Sequence, residues 1–251
     1  MQTDNSFRVV IPARFQSTRF PGKPLKLIAG KEMVLHVYEK AIRSEAAEVV
    51  IATDDQRIYD VAQNAGAQVC LTAEDHETGT DRLFEVVQQL EWSDDVVVVN
   101  VQGDEPLIPV DCINQVAANL IHNPDAVIST LAAEIQSQTE YEDPNVVKVV
   151  FNSKGMAMYF SRSPIPHYRD ADFAKGCDTF RHIGIYAYRS GYLGSYRELS
   201  SQFEDAEKLE QLRVLDNGDL IHVDIARQLP GPGVDTPEHL ALVESIIKGT
   251  S

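Results

Sequence analysis

Residues 8–24 read Arg8-Val9-Val10-Ile11-Pro12-Ala13-Arg14-Phe15-Gln16-Ser17-Thr18-Arg19-Phe20-Pro21-Gly22-Lys23-Pro24, and the chain is best read outward from them. Val9, Val10 and Ile11 make a short apolar run with the signature of a buried strand. Pro12 has no N–H to give a ladder, so the strand is expected to stop there. A polar loop follows at once and carries Arg14, Arg19 and Lys23. Cations and a glycine straight after a buried strand point to an anion site at the strand's carboxyl end. Backbone N–H groups of residues 13–18 are the expected cradle. Neither usual phosphate fingerprint fits. Gly22-Lys23 is followed by Pro24 rather than Ser or Thr, and Gly-x-Gly-x-x-Gly is absent.

The basic loop runs against the trend of the chain, whose net charge is -16. That acidity disfavours a nucleic-acid binder, which needs a basic face. It leaves room for a nucleotide held by a local basic loop. A length of 251 residues with 43% hydrophobic and 24% charged residues suits one α/β domain, with or without a sub-domain. Cys70, Cys112 and Cys177 are scattered and odd in number, as expected for reduced thiols in a cytoplasmic protein. No apolar run approaches a membrane span, and the first residues have neither the basic region nor the apolar core of a signal peptide.

Working outward, Met33, Val37 and Ala41 form one stripe of a helix over 33–43. Residues 48–53 and 67–71 read as two more buried strands around a helix at 56–64, with Asp54 the expected cap of that helix. This β-α-β-α-β order predicts a parallel sheet. Leu83, Val86, Val87 and Leu90 then mark an amphipathic helix with Thr80 as its expected N-cap. Arg82 falls in the first turn, where the helix dipole disfavours a cation; it makes most sense facing an anion. The run at 96–101 is the most apolar in the chain and should be a central strand. It leads into Gln102-Gly103-Asp104-Glu105-Pro106. Asp104 sits where such sheets bind ligands, and a carboxylate there suits Mg2+.

Beyond a helix at 110–121 and a strand at 126–132 the plan changes. Residues 146–151 and 156–160 flank a turn, as in a hairpin. Residues 182–188 alternate, with His182, Gly184, Tyr186 and Tyr188 on one face. That face suits a ligand floor or a subunit interface, and a core role is the ordinary one for His182. The hairpin and the tyrosine face predict a homodimer. A helix is expected over 205–215, with Leu209, Leu212 and Leu215 as its core stripe and Glu210 and Gln211 off it. A strand is expected at 219–225. Thr236 and Pro237 should start the last helix, with Asp235 just before it, either in the capping turn or aimed at the site.

Taken together, the segments IPARFQSTRFPGKPL, HETGTDRL, VNVQGDEP, YFSRSPIP, RHIGIYAYR, LEQLRVL and PGPGVDTPEHL resemble the 3-deoxy-manno-octulosonate cytidylyltransferases, also called CMP-Kdo synthetases. The resemblance runs from Val10 to about Glu244. Where a common form of the second motif has Ser-Gly-Thr, this chain has Thr78-Gly79-Thr80, which keeps the hydroxyl and adds a methyl. The segment 170–180 departs furthest from the pattern. The resemblance implies an α/β, Rossmann-like nucleotidyltransferase fold. It has a mostly parallel central sheet and an additional β-rich region, about 130–195, serving dimerisation and the sugar site. It implies transfer of CMP from CTP to Kdo with Mg2+, for the inner core of lipopolysaccharide, by a cytoplasmic homodimer. Arg14 and Lys23 would hold the CTP phosphates, and Asp104 and Asp235 the metal. Pro12, Ala13, Thr78, Gly79, Thr80 and Gln102 would surround the nucleotide. Arg19, Arg82, Gln102, Arg162, His182, Tyr186, Glu210 and Gln211 would meet the sugar acid.

The residues themselves support that chemistry. An anionic acceptor attacking a triphosphate needs charge neutralised on both partners, and the sequence supplies cations and metal acids for this. No single residue stands out as a general base. Other readings stay open. The acceptor could be the related sugar acid 8-amino-Kdo. A non-catalytic nucleotide sensor would be expected to lose one metal acid, and both are here. A glycosyltransferase would show Asp-x-Asp where this chain has Asp104-Glu105-Pro106.

Overall fold

The computed structural model describes residues 6–16, 20–76, 78–169 and 178–249. Arg19 and the segment 170–177 fall outside them, and so does Cys177. The first strand, β1 (Phe7–Ala13), leads through a short 3-10 turn at Lys23–Leu25 into the tiny hairpin β2 (Leu27–Ile28) and β3 (Lys31–Glu32). Then come α1 (Met33–Ala41), β4 (Glu48–Thr53), α2 (Gln56–Asn64), β5 (Gln68–Leu71), α3 (Gly79–Gln89), β6 (Val97–Asn100) and α4 (Val110–His122). The second half is β7 (Ile128–Glu134), α5 (Gln138–Glu142), β8 (Lys148–Phe151), β9 (Ala157–Ser161), β10 (Phe180–Arg189) and α6 (Ser190–Glu198). It ends with α7 (Gln202–Glu207), α8 (Leu212–Asp216), β11 (Ile221–Ile225) and α9 (Pro237–Lys248).

Among the described residues nine strands form one sheet, with the order β11-β7-β10-β6-β1-β4-β5 and the hairpin β8–β9 joined to β10. The pairs β6·β1, β1·β4, β4·β5 and β11·β7 are parallel, and β10 runs antiparallel to both its neighbours. The central sheet is therefore mostly parallel with one reversed strand inside it. Period-two alternation along β1 sends Val9, Ile11 and Ala13 to one core and Val10 to the other. The first core packs α1, α2 and α4 on one face; the second packs α3, α6 and α8 on the opposite face.

From β1 the chain builds β4 and β5 to one side and then returns to place β6 on the other. The strand order thus reverses at β1/β6, and a crevice opens past the carboxyl ends of those two strands.

Several local expectations are corrected. Pro12 does not stop β1, which continues to Ala13 beside Thr53. Val10 O accepts from Val101 N, so every second residue, Pro12 included, turns its backbone towards β6. The paired register with β6 has already ended at Val10–Asn100, so the missing N–H leaves no ladder bond unmade. The cap of α2 is Asp55, which accepts from Arg57 N, and not Asp54. The cap of α3 is Thr78, not Thr80: Thr78 and Asp81 satisfy each other's backbone N–H in a reciprocal box.

The expected helix at 205–215 is two short helices, α7 and α8, broken where Lys208 takes a left-handed conformation. In β10 two residues, Gly184 and Ile185, bulge out of register with β7. Because the insertion is of two, Tyr186 and Tyr188 keep the face opposite Ile183, Ile185 and Ala187. That tyrosine face is covered by α6 and α8 of the same chain, so it is not a bare surface.

Candidate active site

The crevice is built first from the close approach of two chain turns. Gly103, just past β6, lies against β1, where an added Cβ would stand 2.7 Å from Pro12 O. Any side chain there would push the two turns apart. Asp104 follows directly, and its carbonyl accepts from Val234 N at 2.9 Å. Val234 is buried with Ile28, Met33 and Val243, a packing contribution of roughly 1.5–3 kcal/mol. The Gly231–Asp235 loop is thereby docked on Asp104, and Asp235 arrives beside it. Thr236 caps α9 by accepting from His239 N, and Pro237 occupies the first helical position, which fixes the other end of the loop.

Lys23 closes the cluster. Gly22, at φ 67, turns the chain into the 3-10 turn at Lys23–Leu25, and its N–H is held by Phe15 O. Lys23 Nζ then lies 2.5 Å from Asp104 Oδ2 and 3.3 Å from Asp235 Oδ1. Glu105 stands beside these acids. Burial, and then the neighbouring Asp104 and Asp235, push its carboxyl up to about 7. The cleft above these groups, of about 410 Å3, is lined by Pro12, Arg14, Lys23, Gly79, Gln102 and Asp104 among others. Arg14 Nη2 is buried there without a hydrogen-bond partner among the described residues, as for a cation that awaits an anion. Ala13 is buried beneath the loop.

A second, smaller cleft of about 280 Å3 opens beside the first and shares Gly79 and Gln102 with it. Its floor is aromatic: Tyr186 and Tyr188 pack in a tilted pair with centroids 5.9 Å apart, and Tyr188 and Tyr196 edge to face at 6.0 Å. Its wall is Lys208, Leu209, Glu210 and Gln211, the segment where the expected helix breaks. Thr80 lines it from the first turn of α3. Burial pushes the Tyr188 phenol up, so it stays a neutral hydroxyl beside Thr80 and Asn100.

The other expected sugar contacts lie elsewhere. Arg82 is fully buried, donating to Asp54 Oδ2 at 2.7 Å and to Thr72 Oγ1, so it lines neither cleft. Its first-turn charge is compensated inside the protein by Asp54, at the carboxyl end of β4. Arg162 donates to the carbonyls of Glu207 (2.7 Å) and Pro144 (3.1 Å) and also lines neither cleft. His182 sits behind Tyr186, with its Nε2 2.9 Å from Thr130 Oγ1. It supports the floor rather than forming it.

Asn100, Tyr196 and Lys208 line the second cleft and were not singled out from sequence, while Tyr188 was read there only as part of the alternating face. Asn100 carried a readable signal: a polar residue ending a buried central strand. Among the described residues no group of three or more His, Cys, Asp or Glu could hold a metal alone. Two carboxylates converging on one cation fit a hard ion whose shell is completed by substrate oxygens.

Comparison with known proteins agrees with this geometry. A family model described as cytidylyltransferase matches residues 8–225. A 3-deoxy-manno-octulosonate cytidylyltransferase of Vibrio vulnificus is 54% identical over 98% of this chain and 100% of its own. One from Marinobacter nauticus is 52% identical, covering 97% of each. A solved structure of CMP:2-keto-3-deoxy-manno-octonic acid synthetase complexed with CTP superposes with a TM-score of 0.91 at 42% identity, covering 98% of this chain and 100% of that one. Similarity of that extent, along nearly the whole length, makes this chain a member of the 3-deoxy-manno-octulosonate cytidylyltransferase family.

Proposed function

We propose that the two joined clefts carry out cytidylyl transfer, the larger holding CTP and the smaller the acceptor sugar acid. The reaction is transfer of CMP from CTP to 3-deoxy-D-manno-octulosonate, giving CMP-Kdo and pyrophosphate. One observation carries this assignment: Gly79 and Gln102 border both clefts, so a nucleotide in one and an acceptor in the other meet across a shared wall. The anomeric hydroxyl then attacks the α-phosphorus in line and pyrophosphate leaves.

Arg14 and Lys23 hold the phosphates. The backbone near Pro12 and Ala13 and the Thr78–Thr80 turn read the cytosine. Asp104 and Asp235 hold Mg2+, which when bound neutralises phosphate charge and orients the triphosphate. Tyr186, Gln102, Glu210 and Gln211 position the acceptor, with Thr80, Tyr188 and Asn100 closing its pocket. Arg19, outside the described residues, is expected to meet the sugar acid.

We read residues 1–251 as one nucleotidyltransferase domain acting in the cytoplasm, where CTP is made. Among the described residues no helix is long and apolar enough to cross a membrane. We also propose a homodimer through the region 130–195, where β9 leaves Met158 65% exposed on a hairpin beyond the main sheet. Pyrophosphate release tests the reading. CTP with Kdo should release it stoichiometrically, and neither alone should. Release with CTP and 8-amino-Kdo but not Kdo would move the acceptor to that analogue. No release with either would sink the assignment.

A further inference from the structure

We infer that Glu207 is a positioning residue for the acceptor pocket: it anchors the segment Lys208–Gln211, which forms one wall, to the end of β9. This rests on the acceptor reading of the smaller cleft. Four consecutive residues, 208–211, supply that wall. They follow α7, a six-residue helix, which is far too short to be stable by itself. They also begin with strain. Lys208 sits at φ 54, ψ 49, a left-handed conformation that a non-glycine residue keeps only where its surroundings impose it.

The residue immediately before that strain is the most heavily tied in the segment. Ser161 Oγ donates to Glu207 Oε1 at 2.6 Å and Arg162 N donates to Oε2 at 2.8 Å. Arg162 Nε donates to the Glu207 carbonyl at 2.7 Å. One side chain and one carbonyl thus fix the end of α7 from three directions.

The anchor point is itself rigid. Lys148, fully buried on β8, donates to the carbonyl of Arg162 at 2.5 Å, and to those of Asp143 and Val146 at 2.9 and 2.6 Å. Burial holds its ammonium below the ordinary lysine range, a shift that the carboxylates of Asp143 and Glu207 partly offset. The order of support runs from Lys148 through Arg162 to Glu207, and from there to Glu210 and Gln211. This also gives Arg162 a role that needs no contact with the sugar. The wall's other ties are local: Lys208 N donates to the Glu204 carbonyl at 2.7 Å, and the Leu209 and Glu210 carbonyls accept from Leu212 N at 3.0 Å and Arg213 N at 3.3 Å, so the Glu207 bonds are the ones that join it to β9.

Glu207→Gln keeps the size of the side chain but puts an amide N–H2 where an acceptor was. Its oxygen can face the Arg162 N–H while its N–H2 donates to Ser161 Oγ, so this variant keeps the anchor, whereas Glu207→Ala removes both side-chain bonds. In Glu207→Ala the wall then loosens while the nucleotide cleft, which takes no residue from 207–211, is untouched. The test measures kcat and both KM values for Glu207→Gln and Glu207→Ala, with thermal midpoints, beside Gln211→Ala. The expected result for Glu207→Ala is a KM for Kdo raised about tenfold, a KM for CTP changed less than about twofold, and a near-normal midpoint. Glu207→Gln should stay near the parent in all three.

A lowered midpoint with both KM values moving together, or with neither moving, would show an ordinary structural residue and overturn the inference. If Gln211→Ala raises the KM for Kdo and Glu207→Ala does not, the anchor fails alone. If neither variant changes it, the acceptor reading fails and the inference with it.

Discussion

Asp104 and Asp235, distant in sequence, meet at one ammonium: Lys23 Nζ is 2.5 Å from a carboxylate oxygen of the first and 3.3 Å from one of the second. Both acids are partly open to solvent, while the Lys23 side chain is only 13% exposed. The lysine is therefore the enclosed member, and a metal entering between the acids has to share or displace it. Lys23 and Arg14 are the two cations among the described residues that line this cleft.

Lys23→Ala follows from this. A cation that meets charge developing on the phosphates matters more in the transition state than in the ground state. The expected outcome is a large fall in kcat, of at least about tenfold, with a smaller change in the KM for CTP. Steady-state kinetics check it. An unchanged kcat would make Lys23 only a counter-ion for the two acids.

Asp235→Asn keeps shape and removes one charge. Thr236 remains the cap of α9, so the fold should hold. CTP should bind within about an order of magnitude of the parent, and Mg2+-dependent turnover should be mostly lost. The alternative is that Asp235 serves only the capping turn, which predicts a loss of about 1 kcal/mol in stability and full activity. Calorimetry and turnover on the same variant separate the two.

CTP should be preferred to UTP. The exocyclic group of the base changes from donor to acceptor, and an unpaired buried polar group costs about 1–3 kcal/mol. That converts to a ratio of kcat/KM of about tenfold to a hundredfold or more. Equal ratios would count against base reading by the backbone near Ala13 and the turn at Thr78–Thr80.

His182 should make the protein acid-sensitive. Enclosure lowers its imidazole from 6.5 to about 3. The unfolded chain therefore takes up a proton that the folded one refuses between those values. Its contribution is fully present above pH 6.5 and is lost as pH falls towards 3, by up to about 1.4 kcal/mol per pH unit. Urea unfolding at pH 7 and pH 5 should show a smaller loss for His182→Gln than for the parent. Identical losses would show that His182 titrates normally.

What the sequence determined by itself was the type and order of the strongly patterned elements, although the exact caps of α2 and α3 differed by one and two residues. The apolar runs at β1, β4 and β6 marked the buried strands. The stripe at 83–90 marked α3, and the Thr236-Pro237 start marked α9. Their order placed a ligand crevice at the carboxyl ends of β1 and β6, because open parallel sheets bind ligands past those ends, where the strand order reverses. Even Asp104 could be singled out, since it sits one step beyond the most apolar strand.

Tertiary structure decided the partners. Arg82 reads as a cation awaiting a ligand until Asp54, at the end of another strand, is seen to neutralise it. Local periodicity made 205–215 one helix, but the chain breaks at Lys208, where Glu207 is tied to the distant β9. Pro12 stays in a strand because the neighbour it would have bonded has already ended. In each case the energy comes from a group far away in sequence. Pattern along one chain carries no record of which distant groups will supply a charge, a hydrogen bond or an unfilled edge.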